Sequence, residues 1–290
     1  MFDLHFHSTY SDGKQTVPEL AAIIREKKLS HCSLTDHNSV DGIRELEDCL
    51  IGSGTNVIHG TELTAKYRDN EVHILAYDFV IDQAAKILKE RNDLVRKLKQ
   101  KEMALAVQLS QEEGQEVTDG LQPAEKQPVG LTIALDICTK RFNQDLFLRR
   151  HGKELTPEEF YFFYQAPGKS CAVERSGVTI EWLVEKFNGV ARDLIIAHPF
   201  VSVSIVTTPL DEPQIHDVLN LGLTGIEVYH PDTNPAQIEI LKRLVHERSL
   251  HFTGGSDSHG KERNAPLGYY NHDTTIPDFR LTNDHGEAAS

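Results

Sequence analysis

Apolar positions along this chain gather into seven short runs: Phe2–His7, His31–Thr35, Asn56–Thr64, Glu71–Phe79, Leu194–His198, Thr224–Tyr229 and Leu250–Thr253. Segments with helical spacing lie between most of them, among them Pro18–Lys28, Val40–Ile51, Thr179–Phe187 and Ala236–Arg248. Pro18 follows Thr16-Val17 as a first-turn proline, where its missing N–H costs nothing. Strand–helix alternation of this kind predicts an α/β fold on a parallel sheet, open or closed into a barrel.

Two places break the alternation. Between Thr64 and Glu71 there are too few residues for a parallel crossover, so Ala65–Asn70 reads as a hairpin turn and this pair as antiparallel. An even-numbered turn then puts Glu62 and His73 on one face. After Phe79 the alternation stops until about Gly177. Asp82–Glu113 has the spacing of a long amphipathic helix closed by Gly114, Leu131–Phe142 that of a second, and Thr156-Pro157-Glu158-Glu159 is a helix start with cap, proline and acids on the positive dipole end. The chain therefore divides into 1–79 and 178–290, the two parts of one α/β domain, and 80–177, a helical insertion expected to leave beside His73 and act as a lid. The aromatic cluster Phe160–Tyr164 reads as core of that insertion, and the tail Asp273–Ser290 as loop.

Composition narrows the class. Of 290 residues 39% are hydrophobic and 26% charged, which suits a soluble globular protein and not a membrane span or a disordered chain. The first residues have no basic or apolar leader pattern, and Cys32, Cys49, Cys138 and Cys171 show no C-x-x-C spacing, so a reduced cytoplasmic setting is expected. The net charge of −14 argues against a broad basic face for long nucleic acid. It leaves room for a small anion where metal ions reverse the local sign.

The informative excess is 15 histidines. His5-x-His7 ends the first run with Asp12 in the loop beyond; Asp36-His37 follow the second; His59 and Glu62 sit in the third and His73 in the fourth. His198 ends the fifth run, Glu227 and His230 mark the sixth, and Asp257-x-His259 follows the seventh. Strand residues two apart point the same way, so His5 and His7 can grip one ion, and Asp257 with His259 likewise if the chain stays extended there. Taken singly, Asp36-His37 is equally a helix cap, His198 a core histidine, His59 structural and Glu227 ambiguous. Taken together they stand at successive strand ends, where parallel α/β folds build their sites. Imidazole and carboxylate without thiolate suit Zn, Mn or Fe. Nine donors (His5, His7, Asp12, His37, Glu62, His73, His198, Asp257, His259) imply two or three divalent ions, with Glu62 the natural bridge.

These pieces resemble the PHP family of polymerase and histidinol phosphatase phosphoesterases. The resemblance rests on Asp3-Leu4-His5-Phe6-His7-Ser8, Ser11-Asp12-Gly13, Leu34-Thr35-Asp36-His37-Asn38, Gly60-Thr61-Glu62, Val72-His73-Ile74-Leu75, Ile196-Ala197-His198-Pro199 and Gly255-Ser256-Asp257-Ser258-His259-Gly260. It implies a distorted (β/α)7 barrel with a trinuclear site: one ion on His5, His7, Glu62 and Asp257, a second on Glu62, His73 and His198, a third on Asp12, His37 and His259. The insertion resembles the branch of nucleoside 3′,5′-bisphosphate phosphatases and 5′→3′ oligoribonucleotide exonucleases, with Tyr164–Val173 similar to its lid. Relatives commonly carry an Arg and a His where this chain reads Val129-Gly130-Leu131-Thr132-Ile133.

The expected activity is metal-dependent hydrolysis of a small phosphate monoester, a nucleotide among the candidates. The alternatives are a histidinol-phosphatase-like enzyme and a hydrolase of C–N or C–O bonds; a non-catalytic module is disfavoured by the filled donor set. His230 is the expected phosphate contact or general acid, and Lys14, Lys169, Arg175 and Arg263 the candidate anion contacts.

Overall fold

A computed structural model describes residues 1–68, 70–124, 127–202, 208–260, 265–269, 279–282 and 288–289. Its backbone divides into two units, 1–90 with 178–290, and 91–177. Among the described residues no helix is long and apolar enough to cross a membrane.

Two sheets of the first unit carry the strands that lead to the candidate site. One is parallel, in the order β1 (Phe2–Phe6), β2 (His31–Leu34), β3 (Asn56–Val57). The other runs β4 (Gly60–Tyr67), β5 (Asn70–Tyr77), β6 (Asp193–Ile196), β7 (Gly225–Tyr229), β8 (His251–Gly254). Helices α1 (Val17–Lys27) and α2 (Ile43–Leu50) follow β1 and β2. Helix α1 starts where the sequence says it should: Glu19 accepts from the Thr16 N–H at 2.8 Å, and Pro18 occupies the first turn. Val17, Leu20, Ala21 and Ile24 form its inner face and pack with Phe6, Cys32 and Leu34.

The third run is not one strand. Its first two residues pair with β2 (Cys32 with Val57) and the rest pairs with β5, so the chain changes sheets at Ile58-His59. This gives eight strands in the two sheets where seven were expected. Glycine makes the corner possible, since a Cβ on Gly60 would stand 2.1 Å from Ser33 Oγ and 2.9 Å from Thr35 Cγ2. His59 is structural, held by the Phe79 carbonyl at 2.8 Å and by Glu47 at 2.9 Å.

The β4–β5 hairpin is antiparallel with Thr64 opposite His73, so Glu62 and His73 share a face. A second antiparallel pair was not anticipated. β5 also runs against β6, with Ile74 opposite Ile196 and Tyr77 opposite Asp193. The chain thus leaves β5 beside the first residue of β6, the end away from His198, which overturns the expectation that the insertion departs beside the ligands. It returns at Val178, whose carbonyl accepts from Lys66 N–H at 2.7 Å.

The two sheets touch at two seams. Phe6 bridges to Ser258, and His37 to Glu62, each as a single parallel bridge. At the first seam Gly255 presses on β1 so closely that a Cβ would lie 2.1 Å from His5 Cβ. Helices α7 (Ile180–Phe187), α8 (Glu212–Asn220) and α9 (Pro235–Arg248) belong to this unit; α9 is opened by Asn234 and Gln237, each side chain bonding the other's N–H. The tail is not all loop: Arg280 bridges Phe252, Leu281 is buried, and β9 (Leu281–Thr282) pairs with β10 (Ala288–Ala289).

The second unit comprises most of α3 (Ile81–Glu112), then α4 (Val129–Cys138), α5 (Arg141–His151) and α6 (Pro157–Phe160), the last continued by a π-helical turn over Tyr161–Gln165. Leu131–Phe142, read as one helix, is interrupted at Thr139-Lys140. The unit has its own core, including Met103, Ile133, Ile137, Phe147, Phe160 and Tyr164. Of the aromatic run only Phe160 and Tyr164 are buried, while Phe162 and Phe163 face solvent.

Candidate metal centre

β1 is buried along its whole length, and its alternation sends Asp3, His5 and then His7 to one side. The backbone beyond β8 locks onto it, with Asp257 N–H donating to the His5 carbonyl at 2.7 Å and His7 N–H to that of Ser258 at 2.9 Å. His5 Nε2 and His7 Nε2 then lie 3.3 Å apart. His5 Nε2 is 3.3 Å from Glu62 Oε2 and 3.4 Å from Asp257 Oδ1; for His7 Nε2 these distances are 3.2 and 3.0 Å. Ligand bonds of ~2.0–2.1 Å give a tetrahedron edges of about 3.3–3.4 Å. Five of the edges of this four-atom group therefore fit one small divalent ion.

Glu62, 1% exposed, is the hub. Its Oε1 is 2.8 Å from His73 Nδ1 and 3.0 Å from His198 Nε2, and its Oε2 is 3.2 Å from His37 Nδ1. His37 turns Nε2 toward Asp12 at 3.8 Å, and His259 Nε2 lies 3.3 Å from the same carboxylate. Three groups have donors mutually within 4.8 Å: His5, His7, Glu62, Asp257; His37, Glu62, His73; and His7, Asp12, His37, His259. Buried Glu62 Oε2, His7 Nδ1, His37 Nδ1 and His73 Nδ1 have no hydrogen bond of proper geometry. Donors crowded at hydrogen-bond distance without hydrogen bonds are what cation ligands look like.

Backbone strain clusters here. His198 (φ 25°), Asp257 (φ 48°) and Asn38 (φ 51°) occupy left-handed conformations that L residues seldom adopt. The condition under which Asp257 and His259 would align as on a strand, an extended chain, is not met; a turned backbone brings both in. Likewise Asp36-His37 caps nothing, since α2 starts at Ile43.

Electrostatics without an ion are those of a proton-loaded cluster. Burial opposes charge on His5, but Glu227, Glu62 and Asp257 outweigh it and hold the imidazole well above its ordinary value. His7 is raised to about 9, burial being overcome by Asp257 and Glu62, and His73 to about 10, burial being overcome by Glu62 with Glu71 helping. Burial pushes His37 down to about 3 and also lowers His198. Glu62, Asp257 and Asp12 are all depressed by the surrounding imidazoles, which overcome their burial.

His230 is buried, its Nε2 3.3 Å from Asp257 Oδ2. Asp232 N–H donates to its Nδ1 at 3.1 Å, so the proton of the neutral ring sits on Nε2, facing the cluster. Lys14 is exposed, and its backbone N–H donates to the His259 carbonyl at 2.8 Å. Lys169 and Arg175 lie in the second unit. Arg263 falls outside the described residues.

Sequence reasoning weighed Asp36 only beside His37 as a helix cap and gave Asp3 no role. Asp36 accepts from Ser8 N–H at 2.8 Å and Ser8 Oγ at 2.6 Å, fixing the loop that carries Asp12. Asp3, fully buried, accepts from His5 N–H at 3.2 Å and Ser256 N–H at 3.0 Å, tying both sides of the first seam. The available signal was a carboxylate inside a wholly buried run.

The donor cluster is one that could hold metal ions, and comparison with known proteins points the same way. The family model of the PHP domain matches residues 3–116. It is 25% identical over 258 residues to a 5′-3′ exoribonuclease of Haemophilus influenzae (89% of each chain), and 25% over 275 residues to a phosphoribosyl 1,2-cyclic phosphate 1,2-diphosphodiesterase of Eggerthella lenta (91% and 96%). A 3′,5′-nucleoside bisphosphate phosphatase of Chromobacterium violaceum is 25% identical over 267 residues (89% and 86%). A solved protein of Bifidobacterium adolescentis assigned as a metal-dependent phosphoesterase has the same fold, with a TM-score of 0.60 at 22% identity over 93% and 91% of the two chains.

Proposed function

We propose that this protein is a metal-dependent phosphoesterase that hydrolyses a phosphate monoester on a small, nucleotide-like substrate. The observation that carries the reading is the set of 3.0–3.4 Å edges joining His5, His7, Glu62 and Asp257. The relatives, all named for cleavage of phosphate esters, supply the chemistry. In this reading the two sheets form the distorted barrel, with the site at its seams.

His5, His7, Glu62 and Asp257 would hold one ion; Glu62, His73, His37 and His198 a second; and Asp12, His37 and His259, with His7 beside them, a third. Bound divalent ions supply a nucleophilic hydroxide at neutral pH and neutralise phosphoryl oxygens. The chain does the rest. Glu62 spaces the donor groups, and its charge with that of Asp257 and Asp12 favours cations in an acidic protein. His230, with its proton fixed on Nε2, donates to a phosphoryl or leaving-group oxygen.

Leu131 stands exposed on α4, in the segment where the family resemblance implies an Arg and a His, and this favours a second reading in which the leaving group is not a nucleoside. Metal analysis with a screen of phosphate esters against amides and lactones tests the function. Bound metal with turnover of phosphate esters alone supports it, and hydrolysis confined to amides or lactones refutes it. Selective turnover of a nucleoside 3′,5′-bisphosphate decides against the second reading.

A further inference from the structure

Glu227 is a carboxylate inside a wholly buried strand, between Ile226 and Val228 on β7, and is 0% exposed. With no water to solvate it, its oxygens must be satisfied by protein. Oε1 lies 3.0 Å from His5 Nδ1, and Oε2 accepts from the His198 N–H at 2.9 Å. It belongs to none of the three donor groups. The two residues it holds flank the two oxygens of Glu62: His5 Nε2 is 3.3 Å from Oε2 and His198 Nε2 is 3.0 Å from Oε1. One of them, His198, has a left-handed backbone with φ 25°, a conformation that needs outside support.

We infer that Glu227 is a positioning residue that sets two histidines of the centre at once, fixing the ring of His5 and the backbone of His198. Accepting a hydrogen bond from His5 Nδ1–H keeps the proton on Nδ1 and the lone pair of that ring on Nε2, the atom that faces His7, Glu62 and Asp257. Accepting from His198 N–H holds the turn that aims the second imidazole at the other oxygen of Glu62. In the ion assignment above, His5 serves one ion and His198 another, so two ions would depend on one carboxylate that stands outside the three donor groups. The inference rests on the metal-centre reading above.

Glu227→Gln separates the roles, because an amide cannot accept from two N–H groups with two oxygens. If its oxygen stays on His5, its NH2 meets the His198 N–H; if it flips, its NH2 meets His5 Nδ1 and forces the proton onto Nε2. Glu227→Asp keeps the charge but is one methylene too short to reach both. Purified parent and variants are titrated with Zn²⁺ or Mn²⁺ against a competing chelator, with folding followed by circular dichroism. We expect the Gln variant to lose ~10–100-fold in affinity at two equivalents of metal, and the Asp variant to fall between. In the Zn²⁺-loaded parent, ¹⁵N spectra should show His5 protonated on Nδ1; this reading needs no variant and stands if the Gln protein fails to fold. Affinities within twofold of the parent at every equivalent, or a His5 without a proton on Nδ1, overturn the inference. A parent that takes up no metal overturns the centre itself and this inference with it, whereas a parent that loads normally beside an equally loaded Gln variant overturns only the role of Glu227.

Discussion

Glu62→Gln is the sharpest perturbation available, because five imidazoles lie within 3.3 Å of one carboxylate. The change is isosteric, so it removes charge and one acceptor without opening a cavity. In the metal-free protein His73 is raised to about 10 from an ordinary 6.5, and Glu62 is the leading charge that raises it against burial. Losing that support leaves Glu71 alone to oppose burial and moves His73 back toward its ordinary value, a change of up to about 5 kcal/mol in proton affinity. A raised histidine stabilises fully below its unfolded value and ceases to as pH rises through its folded one. The variant should therefore lag the parent most below about pH 6.5, and the gap contributed by His73 should close as pH approaches 10. With metal, an amide cannot join two ions, and more than one equivalent should be lost. Imidazole ¹⁵N titration of the metal-free proteins and elemental analysis of the loaded ones measure both effects. An unmoved His73 together with full metal stoichiometry would show that Glu62 is not the hub.

Further outcomes follow from the same geometry. His230→Asn should lower kcat by ~10²-fold or more with metal retained, and loss of metal would make His230 a ligand instead. Since His7 and His73 hold protons up to about 9 and 10 without metal, apparent metal affinity should climb from pH 6 to pH 9, with proton release on binding; calorimetry in buffers of different ionisation enthalpy that detects no released proton would contradict this. Gly60→Ala drives a Cβ toward Ser33 and Thr35 and should cost ~1–3 kcal/mol in urea unfolding, a neutral result meaning that the corner between sheets has slack.

Much of the donor set was legible because chemistry leaves a residue-level mark. His5 and His7 are two apart on a strand, and the short Thr64–Glu71 link forced a hairpin that puts Glu62 beside His73. Other features had no local signal. The reversal of β5 against β6 depends on where a chain re-enters after about 100 residues, and neither strand's composition differs between parallel and antiparallel partners. The split of Asn56–Thr64 turned on Gly60, whose need for a missing Cβ appears only when β2 stands beside it. Asp257 with His259 showed a related gap: the spacing suggested strand geometry, and a left-handed turn achieves the convergence instead. Glu227 could be flagged as odd but not assigned, because its partners lie 222 and 29 residues away.

The two seams carry a thermodynamic consequence. Each sheet-to-sheet junction is a single bridge, and the donors come from both sides of it: His37 facing Glu62 at one, His5 and His7 facing Asp257 and His259 at the other. Joining the two sheets and assembling the donors are therefore one equilibrium. Any species that binds only the closed form draws the sheets together with a linkage energy of RT ln(1 + [L]/Kd), about 4 kcal/mol at a thousandfold excess over Kd. Chelation should then loosen the strand ends around Ser258 and Glu62 before it loosens the helices, so amide exchange at those positions becomes a gauge of how much metal the protein holds.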